Sequence, residues 1–132
     1  MTNILAIETS SVHCSIGLSK NKEIYSMHSQ EENSHGKLIF GFIKDLLKKS
    51  QLEKKDIDLI ALSIGPGSFT GLRVGCSVAQ GLAFGLKKKI LPLSSLNILA
   101  QNVFLDGEAE HLYIVKEAHM NDLYVGKYIR KN

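Results

Sequence analysis

The feature that most constrains the fold is a glycine-rich segment in the middle of the chain. The segment GPGSFTGLRVG, residues 65–75, contains four glycines and follows the apolar run IDLIALSIG. A glycine-rich turn between a strand and a helix is the usual architecture for holding a phosphate, because backbone N–H groups approach an anion closely where no Cβ intervenes. The segment nevertheless lacks the Gly-Lys-Ser/Thr ending of the phosphate-loop pattern. The sequence therefore predicts the turn and leaves its ligand open.

Length and composition favour one compact domain with an ordinary core. The 132 residues are 44% apolar and 22% charged, and the net charge of +3 falls short of the basic footprint of a nucleic-acid-binding protein. Cys14 and Cys76 match no metal or redox spacing and are typical of a reducing compartment. No stretch approaches the roughly 20 apolar residues of a membrane helix, and the first residues lack a signal-peptide pattern. We expect a cytoplasmic protein without membrane association.

Hydrophobic periodicity predicts three strands followed by alternating helices and strands. The first three strands form an antiparallel meander. Ser34 and Ser95 are the expected N-caps of the first and third helices. The predicted strands are 3–8, 14–19, 23–29, 57–65 and 90–94, and the predicted helices are the segment 34–50, which Ser34 caps, and residues 72–88 and 95–103.

A polar connector over residues 105–110 marks a candidate domain boundary. The strands predicted after it, 112–117 and 123–129, form a hairpin, which is marginal alone in water and needs a partner sheet. It either packs on the first unit or begins a second domain, and we favour the second alternative. The predicted division is a first domain over 1–104 and, over 105–132, a linker with the first hairpin of a truncated second domain.

Two turns are candidates for binding phosphate. The ETSS turn after the first strand offers hydroxyls and N–H groups at the carboxyl end of a sheet, and the glycine loop follows another strand. The alternative is a polar turn that satisfies its own hydrogen bonds. The residues concerned are Thr9, Ser10, Ser11, Gly65, Gly67 and Ser68.

The sequence predicts no catalytic residue and no metal ligand. A metal pair on one helix face requires histidines at i and i+4, yet His35 is followed at that spacing by Ile39. A serine nucleophile elbow requires a closing glycine, and Phe69 stands there instead.

Small residues recur along the second helix. Gly71, Gly75 and Ala79 fall at i, i+4 and i+8, whereas Gly81 and Gly85 lie on another face. Each glycine inside a helix costs about 0.5–1 kcal/mol relative to alanine, so a compensating close contact is expected. That contact is either with the chain's own sheet or with another subunit, and one stripe can face inward while the other faces outward.

Four segments, in their order and spacing, resemble the TsaB (YeaZ) family of bacterial partner subunits in tRNA threonylcarbamoyladenosine synthesis. The resemblance covers residues 3 to about 101, and the segments are ILAIETS, GPGSFTGLRVG, AQGLAFGL and PLSSLNILAQ. It implies an α/β fold of the actin-like ATPase (ASKHA, ribonuclease-H-like) group, with a mixed five-stranded sheet, flanking helices and the start of a second similar domain.

The resemblance also implies a non-catalytic scaffold. Such subunits pair with the catalytic paralogue TsaD and the ATPase TsaE, which together transfer threonylcarbamoyl to an adenosine of tRNAs. It implies a homodimer in isolation, tRNA reached through the complex, and no intrinsic cofactor unless a nucleotide binds at a subunit seam. The implied subunit interface consists of Leu38, Phe42, Gly71, Leu72, Gly75, Val78, Ala79 and Leu82.

Two departures from the family pattern bear on these expectations. Relatives continue into a complete second domain, so the chain is expected to be a fragment or a truncated product. Relatives also tend to carry Asp-Ala-Arg where this chain has Glu117-Ala118-His119. The competing hypothesis is an ATP-binding phosphotransfer or hydrolytic enzyme that uses the two turns, although no paired acid is available to hold Mg²⁺. A peptidase is a remote third hypothesis.

Overall fold

Strands and helices alternate along residues 2–131, the part of the chain that the computed structural model describes. A short 3₁₀ turn, Lys54–Asp56, precedes the fourth strand. The strands are β1 (Ile4–Glu8), β2 (Ser15–Lys20), β3 (Glu23–His28), β4 (Leu59–Ser63), β5 (Lys89–Leu93), β6 (His111–Glu117) and β7 (Leu123–Ile129). The helices are α1 (His35–Ser50), α2 (Phe69–Leu86) and α3 (Ser95–Asp106).

The first five strands form one mixed sheet in the order β3-β2-β1-β4-β5. The meander β1-β2-β3 is antiparallel, whereas β4 pairs in parallel with both β1 and β5. In this register Ile7 of β1 lies between Ile16 of β2 and Leu62 of β4. The predicted α/β class and the mixed five-stranded sheet are confirmed, and the carboxyl ends of β1 and β4 meet at one edge.

Helices α1 and α2 cover one face of this sheet. Their buried side chains, such as Ile39 and Val78, join a single cluster with alternate residues of the strands, including Leu5, Ile7 and Leu18. Alternation in β1 and β2 follows from the two-residue period of a strand, which turns every second side chain toward the helices. This layer fixes where each helix begins relative to the sheet edge.

Helix boundaries differ from the prediction in α2 and α3. Helix α2 begins three residues earlier than expected, because the Ser68 hydroxyl caps it by accepting the Gly71 N–H at 3.2 Å. Ser94, not Ser95, is the N-cap of α3, since the buried Ser95 hydroxyl pairs with Ser63 at 2.8 Å. Helix α3 also extends to Asp106, so the first two residues of the predicted connector are helical.

Strands β6 and β7 form a separate two-stranded sheet next to α3. Arg130, just after β7, donates to the carbonyl of Phe104 at 2.8 Å and to that of Ala109 at 3.1 Å. These bonds fasten the hairpin to the end of α3, while the division into two domains stays a prediction. Across residues 2–131, none of the helices combines the length and apolar character needed to cross a membrane.

Candidate functional site

The turn after β1 and the glycine loop after β4 meet at the carboxyl edge of the sheet. The Ser68 N–H donates to the Ser10 carbonyl at 2.7 Å, and the buried Thr9 hydroxyl donates to the Gly71 carbonyl at 2.7 Å. Within the turn, the Ser10 N–H donates to the Glu8 carboxylate at 2.7 Å. The two predicted phosphate turns are therefore bonded to each other, and part of their hydrogen-bonding capacity is used internally.

This close approach explains three of the glycines in the middle of the chain. A Cβ at Gly67 would overlap the carbonyl oxygen of Ser10, and a Cβ at Gly71 would overlap that of Thr9. A Cβ at Gly75 would overlap the Thr9 hydroxyl. The spacing of four residues keeps all three on one face of the loop and helix, which lies directly against the turn after β1.

The predicted interface residues divide into two groups. Gly71, Gly75, Val78 and Ala79 are buried within the chain. Gly71 and Gly75 lie against Thr9 in the turn after β1. Of the two contacts considered for this stripe, the chain's own sheet or another subunit, these two glycines make the first. The remaining four are only partly buried, and their place in an interface stays a prediction; they are Leu38, Phe42, Leu72 and Leu82.

A second flank of α2 is open. No described atom lies within 4 Å of a Cβ built at Gly81 or Gly85, apart from the nearby backbone of the helix itself. Thr70, Val74 and Ser77 precede Gly81 at helical spacing, so small side chains line this flank, which we call the outer flank of α2. Phe84 is 90% exposed next to it. The glycines of the outer flank thus lack the internal explanation that applies to the inner stripe.

A cleft of about 410 Å³ lies between the joined turns and the hairpin. Lys116 of β6 reaches across it and donates to the Pro66 carbonyl at 3.0 Å. The cleft thus combines the two predicted phosphate turns with a cation that sequence reasoning missed, since nothing local relates position 116 to the glycine loop. Its lining includes Ser10, Ser11, Gly67, Ser68, Lys116, Glu117, His119 and Tyr124.

His35 supports the turn after β1. Its ring is buried, and Nε2 lies 2.9 Å from the Ser11 carbonyl and 3.2 Å from the His13 carbonyl, so the N–H donates into the turn. The His35 imidazole on α1 therefore packs in the interior and fixes the turn after β1 by hydrogen bonds. Within the described part of the chain, no three His, Cys, Asp or Glu side chains are grouped so that they could hold a metal ion.

The chain is similar to proteins of two related kinds, TsaD and TsaB. The family model described as TsaD, tRNA N6-adenosine threonylcarbamoyltransferase, matches residues 21–132. Two relatives, each called tRNA threonylcarbamoyladenosine biosynthesis protein TsaB, are 37% identical to the chain. One, from Buchnera aphidicola subsp. Schizaphis graminum, matches 98% of the chain and 61% of its own length. The other, from Haemophilus influenzae, matches 97% and 54%.

A solved structure called YeaZ from Pseudomonas aeruginosa superposes with a TM-score of 0.94 at 34% identity. The superposition covers 99% of this chain and 62% of that one. This likeness confirms the fold that the sequence resemblance implied. The chain spans between one half and two thirds of the length of these relatives.

Proposed function

The chain belongs to the TsaB (YeaZ) family, and from this membership we propose that it acts in tRNA threonylcarbamoyladenosine synthesis as a non-catalytic scaffold subunit. In this proposal it binds a TsaD-type catalytic partner through α1 and α2. A second copy of the chain occupies the same surface in isolation, and a TsaE-type ATPase and tRNA join through the complex.

The observation that carries this proposal is the outer flank of α2. Gly81 and Gly85 each cost the helix about 0.5–1 kcal/mol relative to alanine, and no contact within the described chain compensates for them. A second helix could approach such a flank backbone to backbone, and the dispersion contacts along the seam would then offset that cost. The exposed ring of Phe84 offers apolar area beside the same surface.

The carboxyl edge of the sheet also fits a scaffold better than an enzyme. The Ser68 N–H donates to Ser10, and the Gly71 N–H donates to the Ser68 hydroxyl, so neither amide is available to a phosphate in this conformation. His35 donates to the turn after β1. These groups support the packing of β1 against α2, which in turn holds the outer flank in place.

The test is a bulky substitution on the outer flank. Gly81→Leu adds a side chain into open space, so the isolated chain is expected to fold, whereas a partner helix could no longer approach closely. Gln101→Leu is the matched control, because position 101 is also exposed on a helix, but that helix is α3, which lies outside the proposed interface. Gly75→Leu is unsuitable, since its side chain would overlap Thr9 and disturb the fold.

Binding is measured by titrating a TsaD-type partner and by sizing the isolated chain. We expect Gly81→Leu to weaken association at least about tenfold, equivalent to 1.4 kcal/mol, and Gln101→Leu to leave it unchanged. Loss of threonylcarbamoyladenosine formation in the complete system should accompany the loss of binding. Unchanged association of Gly81→Leu with the partner contradicts the proposal.

A second candidate function is nucleotide binding in the cleft, which Lys116 favours because its ammonium lies beside both predicted phosphate turns. Isothermal titration with ATP and Mg²⁺ tests it on the chain alone and on the chain with a TsaD-type partner. Heat from the chain alone that disappears in Lys116→Met would support an ATP-binding protein. Heat that appears only with the partner would support a nucleotide at a subunit seam.

A further inference from the structure

Lysines are concentrated at the edge of the sheet opposite the candidate site. Strands β1, β4 and β5 begin at this edge, and helices α1 and α2 run back to it from the candidate site. It therefore contains the turn between β2 and β3, the end of α1, the 3₁₀ turn and the connection from α2 to β5. These segments contain Lys20, Lys22, Lys48, Lys49, Lys54, Lys55, Lys87, Lys88 and Lys89. We call this group the lysine edge.

Contacts between distant segments confirm that the lysine edge is one surface. Lys20, at the end of β2, donates to the Ser50 carbonyl at the end of α1. Lys88, after α2, lies 3.8 Å from Asp58 before β4, and that carboxylate also accepts the Asn3 N–H at 2.9 Å. Segments from all parts of the sheet are therefore joined at this edge.

Positive charge at this edge is largely uncompensated. Its carboxylates are Glu23, Glu53, Asp56 and Asp58, so nine lysines against four acids leave a net charge of +5, compared with +3 for the whole chain. Within residues 2–131, only two of these lysines form salt bridges, Lys55 with Glu53 and Lys88 with Asp58. The exposed lysines without a salt bridge are Lys22, Lys48, Lys49, Lys54, Lys87 and Lys89.

Local structure explains only some of these lysines. Lys48, Lys49 and Lys87 follow or end helices, where a cation complements the negative end of the helix dipole. Lys22, in a strand turn, and Lys54, at the start of the 3₁₀ turn, have no such reason to be basic. Clustering of these further lysines at one edge points to a ligand with several negative charges.

The geometry of this surface favours a nucleic-acid backbone over a membrane. Turns and helix ends form the lysine edge, which therefore lacks the amphipathic helix that inserts into a lipid interface. Lysine ammonium groups are point charges that contact phosphates without reading bases. From these observations we infer that the lysine edge binds the phosphate backbone of tRNA directly, and the choice of tRNA among polyanions rests on the proposed function.

The proposed contact between the lysine edge and tRNA is separate from the candidate site and next to the proposed partner surface. Strands of five to six residues place the lysine edge about 17–20 Å from the turns after β1 and β4. Helix α2 ends at the lysine edge, so its Phe84 and Gly85 adjoin it. A tRNA held there would lie beside a partner docked on the outer flank.

The experiment measures binding of an unmodified tRNA transcript to the full 132-residue chain between 50 and 200 mM salt. Six phosphate contacts predict a slope of log K against log salt of about −4 to −5, and an affinity that falls several-hundredfold or more over this range. Neutralising four contacts should reduce the slope by about 3 and weaken binding at 50 mM salt at least about a hundredfold. The four substitutions are Lys48→Gln, Lys49→Gln, Lys54→Gln and Lys89→Gln.

The matched control neutralises four exposed lysines elsewhere, so that both quadruple variants have the same net charge. Its substitutions are Lys37→Gln, Lys44→Gln, Lys127→Gln and Lys131→Gln. The control should keep most of the salt slope. If removing Lys48 and Lys49 unfolds α1, the pair Lys54→Gln and Lys89→Gln leaves the helix end intact and should still reduce the slope by about 1.5.

Equal loss of tRNA binding in both quadruple variants would overturn the inference, as would undetectable binding at 50 mM salt. Binding of polyglutamate or of vesicles with 30% phosphatidylserine in preference to tRNA would also overturn it, in favour of an acidic protein or a membrane. The assay contains no TsaD-type partner, and its variants leave Gly81 unchanged, so it is scored separately from the binding test of Gly81→Leu. Failure of the scaffold proposal and failure of this inference are therefore distinguishable.

Discussion

The four glycines of α2 provide a contrast within one helix. Gly71→Ala and Gly75→Ala place a methyl group against Thr9, whereas Gly81→Ala and Gly85→Ala place it in open space. All four gain about 0.5–1 kcal/mol of helix propensity. The two inner substitutions also force an overlap in a packed site, which typically costs 1–3 kcal/mol.

We therefore expect Gly81→Ala and Gly85→Ala to raise the free energy of unfolding by about 0.5–1 kcal/mol each, and Gly71→Ala to lower it by about 1–2 kcal/mol. Urea unfolding, analysed with one m-value for all variants, measures both the increase and the decrease in the free energy of unfolding. A change of 1 kcal/mol moves the midpoint by about 0.5 M when m is about 2 kcal/mol/M. The measurement is made at a concentration where sizing shows a monomer, so that association does not enter the comparison.

The structure further separates the two inner positions. The overlap at Gly75 is with the Thr9 hydroxyl, whereas that at Gly71 is with the Thr9 backbone. Thr9→Ala should thus relieve most of the cost of Gly75→Ala, with a coupling energy of about 1 kcal/mol or more, and relieve Gly71→Ala much less. Stability of Gly71→Ala equal to wild type, or destabilisation by Gly81→Ala, would refute the assignment of an inner and an outer flank.

Two further predictions concern the core and the hairpin. Burial raises the pKa of the Cys14 thiol above its ordinary value of 9.0. A thiol reagent at pH 8 should therefore label the partly exposed Cys76 first and Cys14 only on unfolding. The free energy of unfolding should also fall as pH rises above about 9, because the unfolded chain then releases a proton that the folded chain keeps. Equal labelling rates would contradict this placement. Arg130→Met should expose residues 107–111 to protease and cost about 1–3 kcal/mol, since Arg130 donates to Phe104 and Ala109; unchanged proteolysis would refute the role of these bonds.

The order of elements was predictable from local patterns. The stripe of Ile39, Ile43 and Leu46 specifies α1, and the apolar run that contains β4 requires a strand covered on both faces. Helix ends were less predictable, because adjacent serines at 94 and 95 are equivalent as caps until the packing of one against Ser63 distinguishes them.

The site was predictable only in part, because its contacts join distant segments. Small residues at helical spacing are compatible with an internal or an external neighbour, and only the position of Thr9 shows that Gly71 and Gly75 face inward. Lys116 reaches the glycine loop through the placement of the hairpin, for which the sequence has no local signal. The lysine edge was hidden because net charge averages over the chain, whereas topology gathers four separate segments at one edge.

The central claim is that the outer flank of α2 contacts a partner protein, and site-specific photo-crosslinking tests it most directly. A benzoyl-phenylalanine replaces the 90% exposed Phe84 beside this flank, and in a control chain it replaces Ile24, which is 79% exposed on the edge strand β3. With a TsaD-type partner at saturating concentration, we predict a crosslinked heterodimer from position 84 and little or none from position 24. Equal yields from the two positions, or no crosslink from position 84, would contradict the account.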